Sequence, residues 1–179
     1  LDLRYIKPFL ILFISTMLFA QGGKKSSGPD IDLTKGVFFE VAPYAGAMGG
    51  SGMFGLRLGM NYSALNVEVS GEQVIGKTAN TYPIMLNFML NLSKTGRFLP
   101  YVGAGGGLLM TVPTNAIGSQ TVSSLGASLG VGSRIYLSKQ FGFRAEFRQL
   151  ATNIKDDFEG REEFLTFQEI SLGITFMFN

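Results

Sequence analysis

Between Val37 and Phe178, apolar and polar residues alternate with a period of two in one run after another. The alternation is most regular over Phe141–Arg148. There Phe141, Phe143, Ala145 and Phe147 fall on one face, and Gly142, Arg144, Glu146 and Arg148 on the other. Successive side chains of a strand point to opposite faces, so this spacing predicts a strand with one apolar wall and one charged wall. Helical spacing would mix Arg with Phe on every side.

The same grammar recurs along the chain. Glu40 opposes Phe39 and Val41 in the run Val37–Met48. Phe54, Leu56, Leu58 and Met60 alternate with Gly55, Arg57, Gly59 and Asn61, and Leu65, Val67 and Val69 with Asn66, Glu68 and Ser70. Tyr82 to Leu92, Val102 to Met110, Leu125 to Leu137 and Ile170 to Phe178 follow the same rule, with Arg134 and Glu169 on polar faces. The connections are a short Gly-rich stretch after Met48, a tight turn near Ser63, and a longer segment over Gly71–Thr81. Ser93–Phe98 is short, Val112–Gln120 looser, Ser138–Gln140 short, and Thr152–Glu163 charged. Eight strands of about ten residues suit a tilted bilayer crossing. Apart from the first connection, short turns alternate with longer loops, as in an up-and-down barrel, and an even strand number lets the sheet close without an exposed edge. No helix is predicted after residue 20.

Parity alone does not say which wall faces inward, and a soluble, lipocalin-like carrier barrel has the same alternation. Composition favours the membrane. No Lys falls inside a predicted strand, and the polar faces are dense in Gly, including Gly55, Gly103, Gly105, Gly130, Gly132 and Gly173. Small residues fit the crowded inside of a narrow barrel. The strand charges balance, with Arg57, Arg134, Arg144 and Arg148 against Glu40, Glu68, Glu146 and Glu169. On a lipid face each mid-bilayer Arg would cost about 2–4 kcal/mol, and four together would rival a domain's whole stability of about 5–15 kcal/mol. The eight charges are therefore expected to point inward as a neutralising ion-pair network, since buried charges persist only when paired. The expected fold is all-β, an eight-stranded antiparallel up-and-down transmembrane β-barrel over residues 37–179.

Upstream, Arg4 and Lys7 precede the apolar run Phe9–Ala20. Twelve residues are short for a span, and the basic flank matches a secretory signal peptide, expected to be cleaved after Ala20. Gln21–Gly36, rich in Gly, Ser and Lys, reads as a flexible leader.

Candidate chemistry is sparse. The 179 residues include no Cys and no His, which removes disulfides, thiolate chemistry, the usual general base and the commonest metal ligand. A net charge of +2 does not suggest a nucleic-acid partner. Gly71-Glu72-Gln73-Val74-Ile75-Gly76-Lys77-Thr78 matches the phosphate-binding loop pattern, which requires a helix directly after Thr78. Pro83 and renewed strand alternation follow instead, so the match reads as fortuitous. Asp156, Asp157, Glu159, Glu162 and Glu163 lack ordered calcium-loop spacing and read as a solvated loop. The glycosylation-type triplets at Asn61 and Asn91 sit at strand ends and are set aside.

Glu40-Val41-Ala42-Pro43-Tyr44-Ala45-Gly46, Leu99-Pro100-Tyr101-Val102-Gly103-Ala104-Gly105, Gly130-Val131-Gly132, Phe143-Arg144-Ala145-Glu146-Phe147 and Phe176-Met177-Phe178 together give the region 37–179 a family likeness. It resembles the small eight-stranded outer-membrane β-barrels that include the transmembrane domain of outer membrane protein A. The resemblance implies residence among outer-membrane lipids of a diderm bacterium, and recognition by the outer-membrane assembly machinery through the terminal aromatics Phe176 and Phe178. Cell-wall tethering, which in larger relatives rests on a separate peptidoglycan-binding domain, is not implied. The expected function is non-enzymatic: a monomeric structural or surface-interaction barrel, without cofactor or metal, with surface ligands on the loops Gly71–Thr81, Val112–Gln120 and Thr152–Glu163. A narrow ion or small-solute pore is the alternative, with the soluble carrier behind it.

Overall fold

The computed structural model describes residues 30–113, 121–155 and 162–179. Among them, eight long strands form one closed antiparallel barrel in which each pairs with its sequence neighbours. They are β1 (Val37–Met48), β2 (Ser51–Tyr62), β3 (Leu65–Ile75), β4 (Ala79–Asn91), β5 (Phe98–Pro113), β6 (Val122–Tyr136), β7 (Phe141–Lys155) and β8 (Glu162–Phe178). β8 closes on β1, from Glu169 opposite Met48 to Phe178 opposite Phe39. The expected all-β, eight-stranded antiparallel barrel is the fold observed.

The alternation resolves as expected over the middle of each strand. On β4, Ile84, Leu86, Phe88 and Leu90 are exposed outside while Met85, Asn87, Met89 and Asn91 are buried inside. On β7, Phe143 and Ala145 face out and Arg144, Glu146 and Arg148 face in. An outer belt made mostly of Leu, Phe, Ile and Val thus surrounds an interior that is polar in its middle. The turn Gly49-Gly50 joins β1 to β2 with φ of 56° and 85°. Two consecutive positive φ values match the twist of the flanking strands, and glycine adopts them without penalty.

Several boundaries differ from the sequence expectation. Gly71–Ile75 continue β3, so the β3–β4 connection shrinks to Gly76, Lys77 and Thr78. No helix follows Thr78, and five of the eight residues of the phosphate-loop match are strand. Likewise β5 runs through Pro113, β7 through Lys155, and β8 begins at Glu162. Residues 114–120 and 156–161, which hold the remainder of the two predicted longer loops and Asp156, Asp157 and Glu159 of the acidic cluster, lie outside the described residues. One predicted strand Lys exclusion also moves, since Lys155 ends β7.

The extensions of β3, β7 and β8 share a physical reason. Near the rim carrying these connections, the apolar-out rule is interrupted on β3, β7 and β8, although Ile75 and Phe164 remain exposed outside. Val74, Leu150 and Phe167 turn inward, and Gln73, Gln149, Thr166 and Gln168 turn outward. A reading built on apolar-out alternation stops where that rule reverses. The four later strands are also longer, 15 to 17 residues against 11 to 13 for the first four. The barrel wall is consequently taller on the β5–β8 side.

The end of the expected leader Gln21–Gly36 is structured. Ile31–Asp32 form a two-residue ladder with Thr95–Gly96, and Leu33–Lys35 make a single 3₁₀ turn. Leu33 is fully buried, its N–H donates to Lys94 O at 2.9 Å, and its carbonyl accepts from Ser63 N–H at 3.1 Å. Isolated apolar residues in a polar stretch carry no periodicity, so Ile31 and Leu33 gave no strand or core signal. Asp32 caps the turn, accepting from Thr34 N–H at 3.1 Å and Thr34 Oγ1 at 2.6 Å, and these bonds hold its carboxyl below the usual range. The expected signal peptide, residues 1–20, and residues 21–29 lie outside the described residues.

Candidate functional site: the charged interior

Inward positions on six strands bring the eight predicted charged residues together: Glu40 on β1, Arg57 on β2, Glu68 on β3, Arg134 on β6, Arg144, Glu146 and Arg148 on β7, and Glu169 on β8. All are almost completely buried. The residues at i, i+2 and i+4 on β7 share a face, so Arg144, Glu146 and Arg148 stack along the barrel with alternating sign.

Toward the rim carrying the termini, Arg134 Nε lies 3.0 Å from the Glu40 carboxylate. Glu40 also accepts from Asn61 Nδ2 at 3.0 Å and Thr175 Oγ1 at 2.8 Å, and lies 3.4 Å from Arg144 Nη1. Arg134 Nη1 donates to Asn91 Oδ1 at 2.9 Å. In the middle layer Arg144 reaches both oxygens of Glu68, and its Nη2 lies 2.6 Å from Glu146 Oε2. Arg144 Nε donates to Tyr101 Oη at 2.7 Å, and that hydroxyl donates onward to Glu146. Arg57 Nη2 joins Glu169 Oε1 at 3.2 Å and Ser171 Oγ at 3.1 Å, with Glu146 Oε1 at 3.5 Å. Arg148 Nη2 bonds Glu169 Oε1 at 2.7 Å and Glu72, while its Nε is 3.1 Å from Glu146 Oε1. The Arg57 guanidinium also stands 3.7 Å over the Tyr44 ring, and that of Arg134 4.4 Å over Tyr101.

Tyrosine and arginine find room because glycine faces them. A Cβ at Gly55 or Gly173 would stand 2.8 Å from Tyr44 atoms, one at Gly130 2.7 Å from Arg148 Cγ, and one at Gly132 would strike Tyr101. Removing one partner of a buried ion pair leaves an uncompensated charge and costs about 3–5 kcal/mol. Each carboxylate here has two or more polar contacts except Glu72, whose guanidinium contact is Arg148.

Glu72 is the charged residue that sequence reasoning missed, because it fell in the predicted Gly71–Thr81 connection. Strand parity would have found it, since Asn66, Glu68, Ser70, Glu72 and Val74 are all inward. Asn61, Asn91, Tyr101, Ser171 and Thr175 also join the network, and nothing in their residue type alone marks them. Among the described residues no group of three carboxylates is arranged to hold a metal ion. Glu162 and Glu163 belong to β8, and the rest of the acidic cluster lies outside the described residues.

A closed eight-stranded sheet, belted outside by aliphatic and aromatic residues and filled with paired charges, is the architecture of an integral outer-membrane barrel. The sequence itself matches the model of the outer membrane protein beta-barrel domain over residues 12–178, and the chain belongs to that family. Its place is accordingly the outer membrane of a Gram-negative-type bacterium. Solved structures with the same fold include the N-terminal β-barrel domain of Pseudomonas aeruginosa OprF, with 15% identity, 79% of this chain and 97% of that chain covered, and a TM-score of 0.61. Neisserial surface protein A (NspA) aligns with 16% identity, 79% and 96% coverage and a TM-score of 0.60. A major outer membrane protein from Thermus thermophilus aligns with 14% identity, 79% and 99% coverage and a TM-score of 0.51. At these identities the likeness is one of fold. No curated protein matches the sequence.

Proposed function

We propose that this protein is a non-enzymatic structural or surface-interaction barrel whose interior is plugged. The layering of that interior is the observation that carries the reading. Next to the terminus rim Ile31, Leu33, Leu99, Tyr136 and Met177 form an apolar layer, with Phe38 against it. Next to the opposite rim Tyr44, Met48, Met53, Val74, Met85, Leu109 and Leu150 form another, with Phe167 against it. The ion-pair network lies between. A permeating ion would have to shed water at two apolar layers and displace side chains that already satisfy one another, each step being costly.

By the rule that short turns face the periplasm and longer connections the exterior, the taller β5–β8 wall projects outward. The connections within Val112–Gln120 and Thr152–Glu163 are the surface for external partners. The short Gly76–Thr78 turn offers far less. Because the sheet closes on itself, no strand edge within the belt calls for a second subunit, and a monomer among lipids suffices. Phe176 and Phe178, on the outer face at the end of β8, are suited to recognition by the assembly machinery.

Planar-bilayer recording of the wild type and Glu146→Ala tests the plug. Glu146 contacts Arg57, Arg144, Arg148 and Tyr101, so its loss disturbs the network at its centre. The wild type is expected to show no unitary conductance. Reproducible wild-type channels whose conductance changes in Glu146→Ala would replace this reading with a gated pore.

A further inference from the structure

The buried charges do not balance once Glu72 is included. Among the described residues five carboxylates, Glu40, Glu68, Glu72, Glu146 and Glu169, share the interior with four guanidiniums, Arg57, Arg134, Arg144 and Arg148. The surplus negative charge can be located. Glu72 Oε1 and Glu169 Oε1 both bind the same nitrogen, Arg148 Nη2. Their other oxygens, Glu72 Oε2 and Glu169 Oε2, are buried without a hydrogen-bond partner among the described residues.

A third orphan points the same way. Tyr44 is 5% exposed, and its hydroxyl likewise has no hydrogen-bond partner among the described residues. Gly55 of β2 is in register with Tyr44 on β1 and with Glu72 on β3. An added Cβ at Gly55 would stand 2.8 Å from both Cζ and Oη of Tyr44, so the ring leans across Gly55 toward Glu72. Two carboxylate oxygens and a phenol oxygen are therefore buried and unpaired around Arg148, the one guanidinium that both carboxylates share and whose own Nη1 also has no hydrogen-bond partner among the described residues. Buried polar groups without partners are rare in native proteins and call for a ligand or a proton.

We propose that Glu72, Glu169 and Tyr44 form a binding site for one small monovalent cation, a proton or an alkali ion, which closes the charge balance of the interior. A proton would bridge the carboxyl groups as an O–H···O bond. An alkali ion would take both carboxylate oxygens and the phenol oxygen. The charged groups facing the site are Arg57 from β2, Glu68 from β3, and Glu146 and Arg148 from β7.

The test uses the full chain refolded in detergent and compares thermal midpoints of the wild type, Glu72→Gln, Glu68→Gln and Glu72→Gln/Glu169→Gln. Glutamine at position 72 keeps an oxygen for Arg148 and removes the surplus charge. Its midpoint is expected to equal or exceed that of the wild type. Glu68→Gln removes a charge that is already matched by Arg144, and is expected to lower the midpoint by several degrees. The double variant reverses the imbalance and should fall as well. If the cation is a proton, the wild-type midpoint drops as pH rises, while Glu72→Gln is flat. If it is an alkali ion, sodium or potassium raises the wild-type midpoint relative to choline at equal ionic strength, again with no effect on Glu72→Gln. A Glu72→Gln midpoint that falls as far as that of Glu68→Gln, or wild type and Glu72→Gln responding alike to both titrations, would overturn the proposal.

Discussion

Glycines set where the largest side chains of the interior can lie. Gly132 sits beneath Tyr101, and a Cβ there would strike the phenol and come within 2.9 Å of Ala145 O. Gly132→Val is expected to cost about 1–3 kcal/mol through overpacking, seen as a lower denaturation midpoint on a heat-shift gel. Gly106 faces outward, with 3.6 Å from its ideal Cβ to Gly126 O, so Gly106→Ala should leave that midpoint unchanged. The eight charged positions were legible at this scale because an Arg or Glu within an apolar-out strand has only one affordable direction. Glu72 was missed because its neighbours Gly71 and Gln73 break the apolar wall, although the parity of Asn66, Glu68 and Ser70 runs on through it.

At the scale of elements, the strands were legible where they cross the lipid and not where they rise beyond it. Toward the rim opposite the termini β3, β7 and β8 turn Val74, Leu150 and Phe167 inward and Gln73, Gln149, Thr166 and Gln168 outward, so the apolar-out rule no longer marks them as strand, although Ile75 and Phe164 stay exposed outside. The segment Ile31–Lys35 was illegible for another reason, since it is ordered by contacts with Lys94, Thr95, Gly96 and Ser63, residues distant in sequence. Leu33 anchors it. A buried, unpaired carboxylate costs several kcal/mol, so Leu33→Asp is expected to release this segment rather than unfold the barrel. Amide exchange would then become fast at Leu33 and stay slow across β1–β8. Loss of protection throughout the barrel would mean that the segment is integral to the fold.

For the whole molecule, the outer belt fixes the position in the bilayer. Leu86 stands in the middle of the outward row Tyr82–Leu90 of β4, whereas Gln149 on β7 lies near the rim where the apolar-out rule is interrupted. Arginine at a bilayer midplane costs about 2–4 kcal/mol, and near the interface about 0–1 kcal/mol. Reversible denaturant unfolding from lipid vesicles should show Leu86→Arg losing the larger amount and Gln149→Arg little. Equal losses would contradict the placement of the belt. Closure gives the stability a common frame, because the β8–β1 ladder joins the chain ends and holds Glu169 and Glu40 beside arginines from β2, β6 and β7.

By itself the sequence determined that eight strands would form, which wall each would turn to lipid, and that Arg57, Arg134, Arg144 and Arg148 would have to meet carboxylates inside. Period-two alternation and the cost of a charge in hydrocarbon are local, additive facts that any one strand reports. Only the tertiary structure decided who meets whom. Pairing within the interior depends on the register across closed ladders, which set Gly55 between Tyr44 and Glu72 and brought Arg148 to both Glu72 and Glu169. It was also tertiary packing that turned Ile31 and Leu33 into part of an apolar layer. A fifth carboxylate, and with it the charge imbalance of the interior, became visible only when β3 was seen to continue through Ile75.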